Sequence, residues 1–219
     1  MQTQLIEQLS APNGSPKPAS NLEARYAALK AEVMEQIELS VAIENHWLVY
    51  TLVGWEHTAT CAVSQFLVEG VGLQAPHLWP YVLLWVGQIL VVLATFHVIR
   101  SRSKAEPSPY KPLIMRVWTA LLFLSCNVAV LNVIAGLPVF TFLPVLATLS
   151  AFALTVLAGL LSRRLQAAAF AMFVTGILIA YFPAYGFLIY GAGWLLVLQT
   201  VGVILYRKRQ RLLQNTLQV

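Results

Sequence analysis

The chain has 219 residues, of which 58% are hydrophobic and 11% are charged. A soluble globular domain carries about 25% charged residues, and a chain this apolar could not cover its own surface with polar groups. The composition therefore excludes an ordinary water-soluble domain and points to the lipid bilayer as the solvent. The net charge of +5 comes mostly from basic residues beside apolar runs, which favours the membrane surface over nucleic acid as the partner.

The N-terminal region is more polar than the rest of the chain. Residues 1–19 are rich in proline, which favours turns and extended chain, and we predict a flexible tail there. Ser20 and Glu23 have the spacing of a capping box, so a helix should begin at this point. We predict a cytoplasmic amphipathic helix over residues 20–46, lying on the protein or the membrane, or forming a short coiled-coil stem. It is the expected surface for a protein partner or for self-association.

Six apolar runs follow, at residues 47–68, 78–99, 113–135, 140–161, 165–182 and 187–206. Each approaches or exceeds the roughly 17 to 25 residues that cross a hydrocarbon core of about 30 Å. The first run is the most polar, and the fifth is short and ends at Pro183. The sequence therefore predicts an all-α, polytopic membrane bundle over residues 47–206, with six transmembrane helices arranged as three hairpins.

The orientation follows from the basic residues, which cluster after the second, fourth and sixth runs. The connections after the first, third and fifth runs contain no Lys or Arg. By the positive-inside rule, both termini are expected in the cytoplasm, including a basic C-terminal tail over residues 207–219. The start of the chain shows no basic region followed by an apolar core and a cleavage site, so we expect no removable signal peptide.

Four segments resemble a group of bacterial inner-membrane proteins that have a short cytoplasmic N-terminal helix and six spans. They are VYTLVGW at 49–55, the basic break at 100–104, MRVW at 115–118 and LSRR at 161–164. The resemblance covers about residues 30 to 209. It implies the same topology in an inner membrane, and it supplies no catalytic residues.

Glu56 and His57 are the most unusual residues, because an ionisable group deep in a span costs roughly 2.5 to 3.5 kcal/mol unless it is neutralised or paired. One interpretation is a proton or cation site that exchanges a proton as access to a cavity changes. The other is a hydrogen-bonded structural interior, in which Gln88, Asn127 or Asn132 of neighbouring spans supplies the partners.

Small residues recur at four-residue steps in the fourth and fifth runs. Such ridges let membrane helices approach closely, so these two spans are expected to pack tightly, within one subunit or between subunits. The ridge residues are Ala147, Ala151, Thr155 and Gly159 in the fourth run, and Ala167, Ala171 and Thr175 in the fifth.

The familiar motifs of soluble enzymes are missing from the sequence, including a nucleophile elbow, a phosphate-binding loop and a zinc-protease motif. The four histidines lack the spacing of a metal or haem site, so we expect no metal and no cofactor. The favoured hypothesis is a non-enzymatic membrane protein that senses, scaffolds or assists a partner. The alternative is a small channel or proton-coupled transporter that uses Glu56 and His57.

Overall fold

The computed structural model describes residues 22–29, 31–32, 46–70, 79–101, 111–138, 141–160 and 165–216. Within these ranges the fold is all-α and contains no strand, which confirms the predicted fold class. The chain divides into two compact units, Met1–Gln36 and Ile37–Val219.

In the first unit, residues 22–29 and 31–32 are helical. Leu22, Tyr26 and Leu29, which belong to the apolar side of the predicted amphipathic helix, are all exposed. The predicted tail, the capping residue Ser20 and residues 33–45 lie outside the described residues.

The second unit contains six described helices, and each coincides with one of the apolar runs. We number them α1 to α6 in chain order. Their bounds are His46–Gly70, Trp79–Ser101, Lys111–Ile134, Leu143–Leu160, Leu165–Tyr181 and Gly186–Thr216, with a 3₁₀ turn at Pro183–Tyr185 before α6.

Three of the described segments are long and apolar enough to cross a membrane, namely Pro80–Ile99, Pro112–Ile134 and Pro183–Arg211. They correspond to α2, to α3, and to α6 with the turn before it. The apolar parts of α4 and α5 are shorter. These helices indicate a multi-pass membrane protein, whereas crossing by α1, α4 and α5 stays a prediction.

The first part of the expected basic tail belongs to α6, because the helix continues past Tyr206 to Thr216. Arg, Lys, Gln and Leu are good helix formers, and cations are favourable near the C-terminal end of a helix. The basic residues 207–211 therefore lie on a continuous extension of the last apolar helix. Residues 217–219 lie outside the described part of the chain.

The most extensive helix contacts join α1 to α6 and α4 to α5, and smaller contacts join α5 to α6, α1 to α2 and α3 to α4. The largest contacts thus connect helices that belong to different predicted hairpins, and the three-hairpin arrangement is not confirmed. Helix α1 runs antiparallel to α6, because Trp47 contacts Tyr206 while Gln65 binds the Ala184 carbonyl. These contacts place α1 between α2 and α6.

Candidate functional site

The candidate site is a row of hydrogen bonds between α1 and α2, which we call the α1–α2 polar seam. Its α2 side consists of Tyr81, Gln88 and Thr95, which recur at seven-residue steps and so lie on one face of the helix. Its α1 side consists of Ser64, His57 and Glu56.

Each α2 member of the seam bonds to α1. The Thr95 hydroxyl donates to Glu56 Oε1 at 2.8 Å. The Gln88 amide nitrogen lies 2.7 Å from His57 Nδ1, and the Tyr81 hydroxyl donates to the Ser64 carbonyl at 3.3 Å. Because lipid offers no competing partners, such bonds are an important attraction between membrane helices.

His57 also contacts three aromatic rings. Its ring centroid lies 5.7 Å from that of Trp85 on α2, and 5.4 Å and 5.8 Å from those of Tyr190 and Trp194 on α6. All three arrangements are edge-to-face, a favoured geometry for aromatic pairs. His57 therefore joins α2 and α6 at one level of the bundle. With the Gln88 nitrogen donating, Nδ1 is the acceptor and the imidazole proton lies on Nε2.

The second polar atom of each ionisable residue has no partner among the residues that the structure describes. Glu56 Oε2 and His57 Nε2 are both buried and make no hydrogen bond within the described ranges. A buried polar group without a partner costs free energy, and such groups often have a functional reason. The site therefore offers one unused oxygen and one unused nitrogen inside the bundle.

The other side of α1 is fixed to α6 by backbone-directed bonds. Gln199 donates to the Thr51 carbonyl at 3.0 Å, and the Thr58 hydroxyl lies 3.1 Å from the Gly191 carbonyl. Near the opposite end, Gln65 donates to the Ala184 carbonyl in the 3₁₀ turn before α6, and within α1 it donates to Glu69. These bonds anchor α1 against the core while α2 packs on its outer side.

The structure brings together three of the five predicted polar residues, namely Glu56, His57 and Gln88. Asn127 is exposed on α3 and does not contribute to the seam. Asn132 instead closes the C-terminal turn of α3, where its side chain donates to the Pro138 carbonyl at 3.1 Å and accepts from Thr141.

The small-residue ridge of α4 meets α5 at only part of its length. Ala147 and Ala151 are buried, whereas Thr155 and Gly159 are exposed, and a Cβ atom added at Gly159 would have no neighbour within 4 Å. A helix has 3.6 residues per turn, so each four-residue step rotates by about 40° and the row leaves the buried face. Leu154 is buried in place of Thr155.

The row on α5 also divides between neighbours. Ala167 is exposed and Ala171 is half-buried, while Thr175 packs against Gly193 of α6. The close approach of α5 to α4 occurs at the adjacent Gly176, where an added Cβ would lie 3.3 Å from Ala147 Cβ.

Sequence reasoning missed Thr95, Tyr81 and Tyr190 as partners of the site. The seven-residue spacing of Tyr81, Gln88 and Thr95 was a usable signal, because it predicts a polar stripe along α2. No comparable signal marked Tyr190, which lies 133 positions after His57 and reaches it only through tertiary packing.

Comparisons with protein-family models, curated proteins and solved structures gave no match. The resemblance to bacterial inner-membrane proteins therefore stays a prediction. Across the ranges that the structure describes, no three His, Cys, Asp or Glu side chains come together as a metal site. The interpretation of the site rests on its own geometry.

Proposed function

We propose that this chain is a six-span bacterial inner-membrane protein with both termini in the cytoplasm. Support comes from the three long apolar helices and from the apolar character of α4 and α5. The Trp47 contact with Tyr206 also supports it, because the start of α1 and the basic end of α6 then lie on the same side.

Reporter fusions test this topology. Fusions after Lys104 and Arg164 should report the cytoplasm, and a fusion within residues 74–77 should report the opposite side. If the fusions within 74–77 and after Lys104 report the same compartment, α2 does not cross the membrane and the six-span proposal fails.

We infer further that the protein has no catalytic role and acts as a sensing component that responds to protonation of the α1–α2 polar seam. One observation carries this proposal. Glu56 and His57 each bind α2 through one polar atom, while their other polar atom is buried and has no partner in the described part of the chain.

Protonation changes what each group can bind. An ionised carboxylate only accepts hydrogen bonds, whereas a carboxylic acid also donates one. A neutral imidazole accepts at one nitrogen, whereas an imidazolium donates at both. A protonated His57 could therefore no longer accept from the Gln88 nitrogen, and the amide would have to present its oxygen instead. Protonation of Glu56 at its free Oε2 leaves Oε1 as an acceptor for Thr95, but the bond is weaker because it is no longer charge-assisted.

Helix α2 is suited to respond because the seam lies within its main helix contact, to which the stacking of Tyr81 on Phe187 of α6 adds a second attachment. None of the 18 residues in the most apolar part of α2 is buried, and the most extensive helix contact of α2 is with α1. A hydrogen bond between membrane helices contributes about 0.6 kcal/mol on average and about 1.7 kcal/mol at most. Changing two of the three seam bonds therefore changes part of the attraction between α2 and the rest of the bundle.

Distance measurements between spin labels test the sensing proposal. Labels at Leu90→Cys on α2 and Phe173→Cys on α5, both exposed positions, would be placed in a Cys61→Ala, Cys126→Ala background. The label distance should change as the pH is lowered from about 9 to about 4, an interval that includes the reference pKa values of free carboxyl and imidazole groups.

The Glu56→Gln, His57→Gln double variant should lose this pH dependence. His97→Gln is the matched control, because His97 is an exposed histidine on α2 with no bond to the seam. A distance that stays constant with pH in the unsubstituted seam would refute the proposal. So would a pH dependence that survives the double substitution.

Proton or cation transport is the second candidate, and the unpartnered Glu56 Oε2 and His57 Nε2 favour it. In liposomes, transport predicts flux above that of empty vesicles, and Glu56→Gln should abolish it without lowering the melting temperature. Glu69→Gln, at the exposed end of α1, is the control. No flux over a range of pH and ions would remove this candidate and leave the sensing proposal.

A further inference from the structure

The outward face of α6 changes from apolar to basic along a single line. We call this line the α6 stripe, and its residues follow one another at three- and four-residue steps, which places them on one side of the helix. All of them are exposed: Leu196, Thr200, Val203, Arg207 and Arg211.

The apolar part of the stripe, from Leu196 to Val203, is suited to acyl chains. Leu196 is 61% exposed and Val203 is 46% exposed. The Thr200 hydroxyl between them donates to the Leu196 carbonyl at 2.7 Å, so its hydrogen-bonding need is met within the helix. This part of α6 therefore presents a surface compatible with hydrocarbon.

The basic part of the stripe, formed by Arg207 and Arg211, is suited to an anion. Arg207 and Arg211 are four residues apart, about 6 Å along the helix axis, so both guanidinium groups can reach one phosphate. Helix α6 contains no acidic residue, and within the described ranges neither arginine has an ion pair. Because α6 is continuous from Gly186 to Thr216, these charges are held at a fixed height above the apolar part.

We propose that the α6 stripe binds one anionic phospholipid, with its phosphate between Arg207 and Arg211 and an acyl chain along Val203 and Leu196. Basic residues directly beyond a membrane helix attract anionic headgroups. A free phosphate ester would match only the basic half of the stripe, and the exposed apolar half favours a whole lipid. This site is separate from the α1–α2 polar seam and rests only on α6 crossing the membrane.

Native mass spectrometry of the full-length protein tests the proposal by comparing phosphatidylglycerol with phosphatidylcholine of the same acyl chains. The unsubstituted protein should retain phosphatidylglycerol more strongly. Arg207→Gln with Arg211→Gln should weaken its binding about thirtyfold, because the phosphate loses both of its charge-assisted hydrogen-bond donors.

The control is Arg116→Gln with Arg209→Gln, which removes the same charge, since Arg116 lies on α3 and Arg209 lies off the stripe. The control should lose less than about threefold. Val203→Asn provides an independent test, because it keeps both arginines and disturbs only the acyl contact. It should weaken binding of the whole lipid and leave binding of soluble glycerol phosphate unchanged. Melting temperatures without added lipid show whether each variant is folded.

Three results would each overturn the proposal. The first is equal retention of the two lipids by the unsubstituted protein. The second is an equal loss in the two double variants, which would show that diffuse charge and not the stripe attracts the lipid. The third is binding of glycerol phosphate as tight as that of phosphatidylglycerol, which would make the ligand a free phosphate ester.

Discussion

Substituting Gly191 by alanine tests the contact between α1 and α6. A Cβ atom added at Gly191 would lie 2.8 Å from Cβ of Cys61, and 3.4 Å from both Cys61 Sγ and the Thr58 Cα. Ordinary contacts begin at 3.4 Å, so the two Cβ atoms would be about 0.6 Å too close. Neither can move without its backbone, so α1 and α6 must separate.

The size of the effect follows from two opposing contributions. Overpacking of this kind costs typically 1 to 3 kcal/mol, and a shift of α6 would also strain the bond between the Thr58 hydroxyl and the Gly191 carbonyl. Replacing glycine by alanine within a helix gains about 1 kcal/mol of intrinsic helix preference. Gly87→Ala is the matched control, because it makes the same gain on α2 with no atom within 4 Å of the new Cβ.

The intrinsic gain cancels when the two variants are compared, so Gly191→Ala should be less stable than Gly87→Ala by about 1 to 3 kcal/mol. The measurement is reversible unfolding in mixed detergent micelles, followed by circular dichroism. Adding Cys61→Gly to Gly191→Ala removes the clashing Cβ and should recover part of the steric loss. Equal stability of Gly191→Ala and Gly87→Ala would refute the close approach of the two helices.

Three further predictions concern stability in the same assay. Gly176→Leu should destabilise the bundle by about 1 to 3 kcal/mol or more, because the new side chain meets Ala147 and a backbone carbonyl. Gly159→Leu should be nearly neutral, and similar stabilities of the two variants would contradict the close contact between α4 and α5. Gln88→Leu should lower the stability by about 0.6 to 1.7 kcal/mol, because His57 loses its hydrogen bond to Gln88. Asn127→Leu should leave the stability unchanged because Asn127 is exposed, and a larger loss for Asn127→Leu than for Gln88→Leu would contradict the assignment of the seam. Gly136→Ala should cost about 1 to 2 kcal/mol, because Gly136 has a φ of 64° and alanine disfavours that conformation; an unchanged stability would show that the turn relaxes.

The sequence was sufficient to locate the helices. Each apolar run coincides with one helix, the structure in which a segment satisfies its backbone hydrogen bonds locally. The last apolar run was placed at residues 187–206, and α6 continues ten residues beyond it, to Thr216. The criterion used there was loss of apolar character, which marks the end of the hydrocarbon-compatible segment but not the end of the helix.

The partners of Glu56 and His57 could be predicted only in part. Gln88 was one of three polar residues available in neighbouring helices, and hydropathy alone did not favour it over Asn127 or Asn132. The choice depends on which face of α2 and α3 turns towards α1, and hydropathy does not distinguish the faces of a helix that is apolar all round.

Only the tertiary structure decided that α1 packs along α6. The bond from Gln199 to the Thr51 carbonyl joins residues 148 positions apart, and the close approach at Gly191 depends on a cysteine side chain on another helix. Helix formation in lipid is local and can be read from one segment at a time. Helix pairing depends on how well the surfaces of two distant segments fit together, and that fit cannot be read from either segment alone.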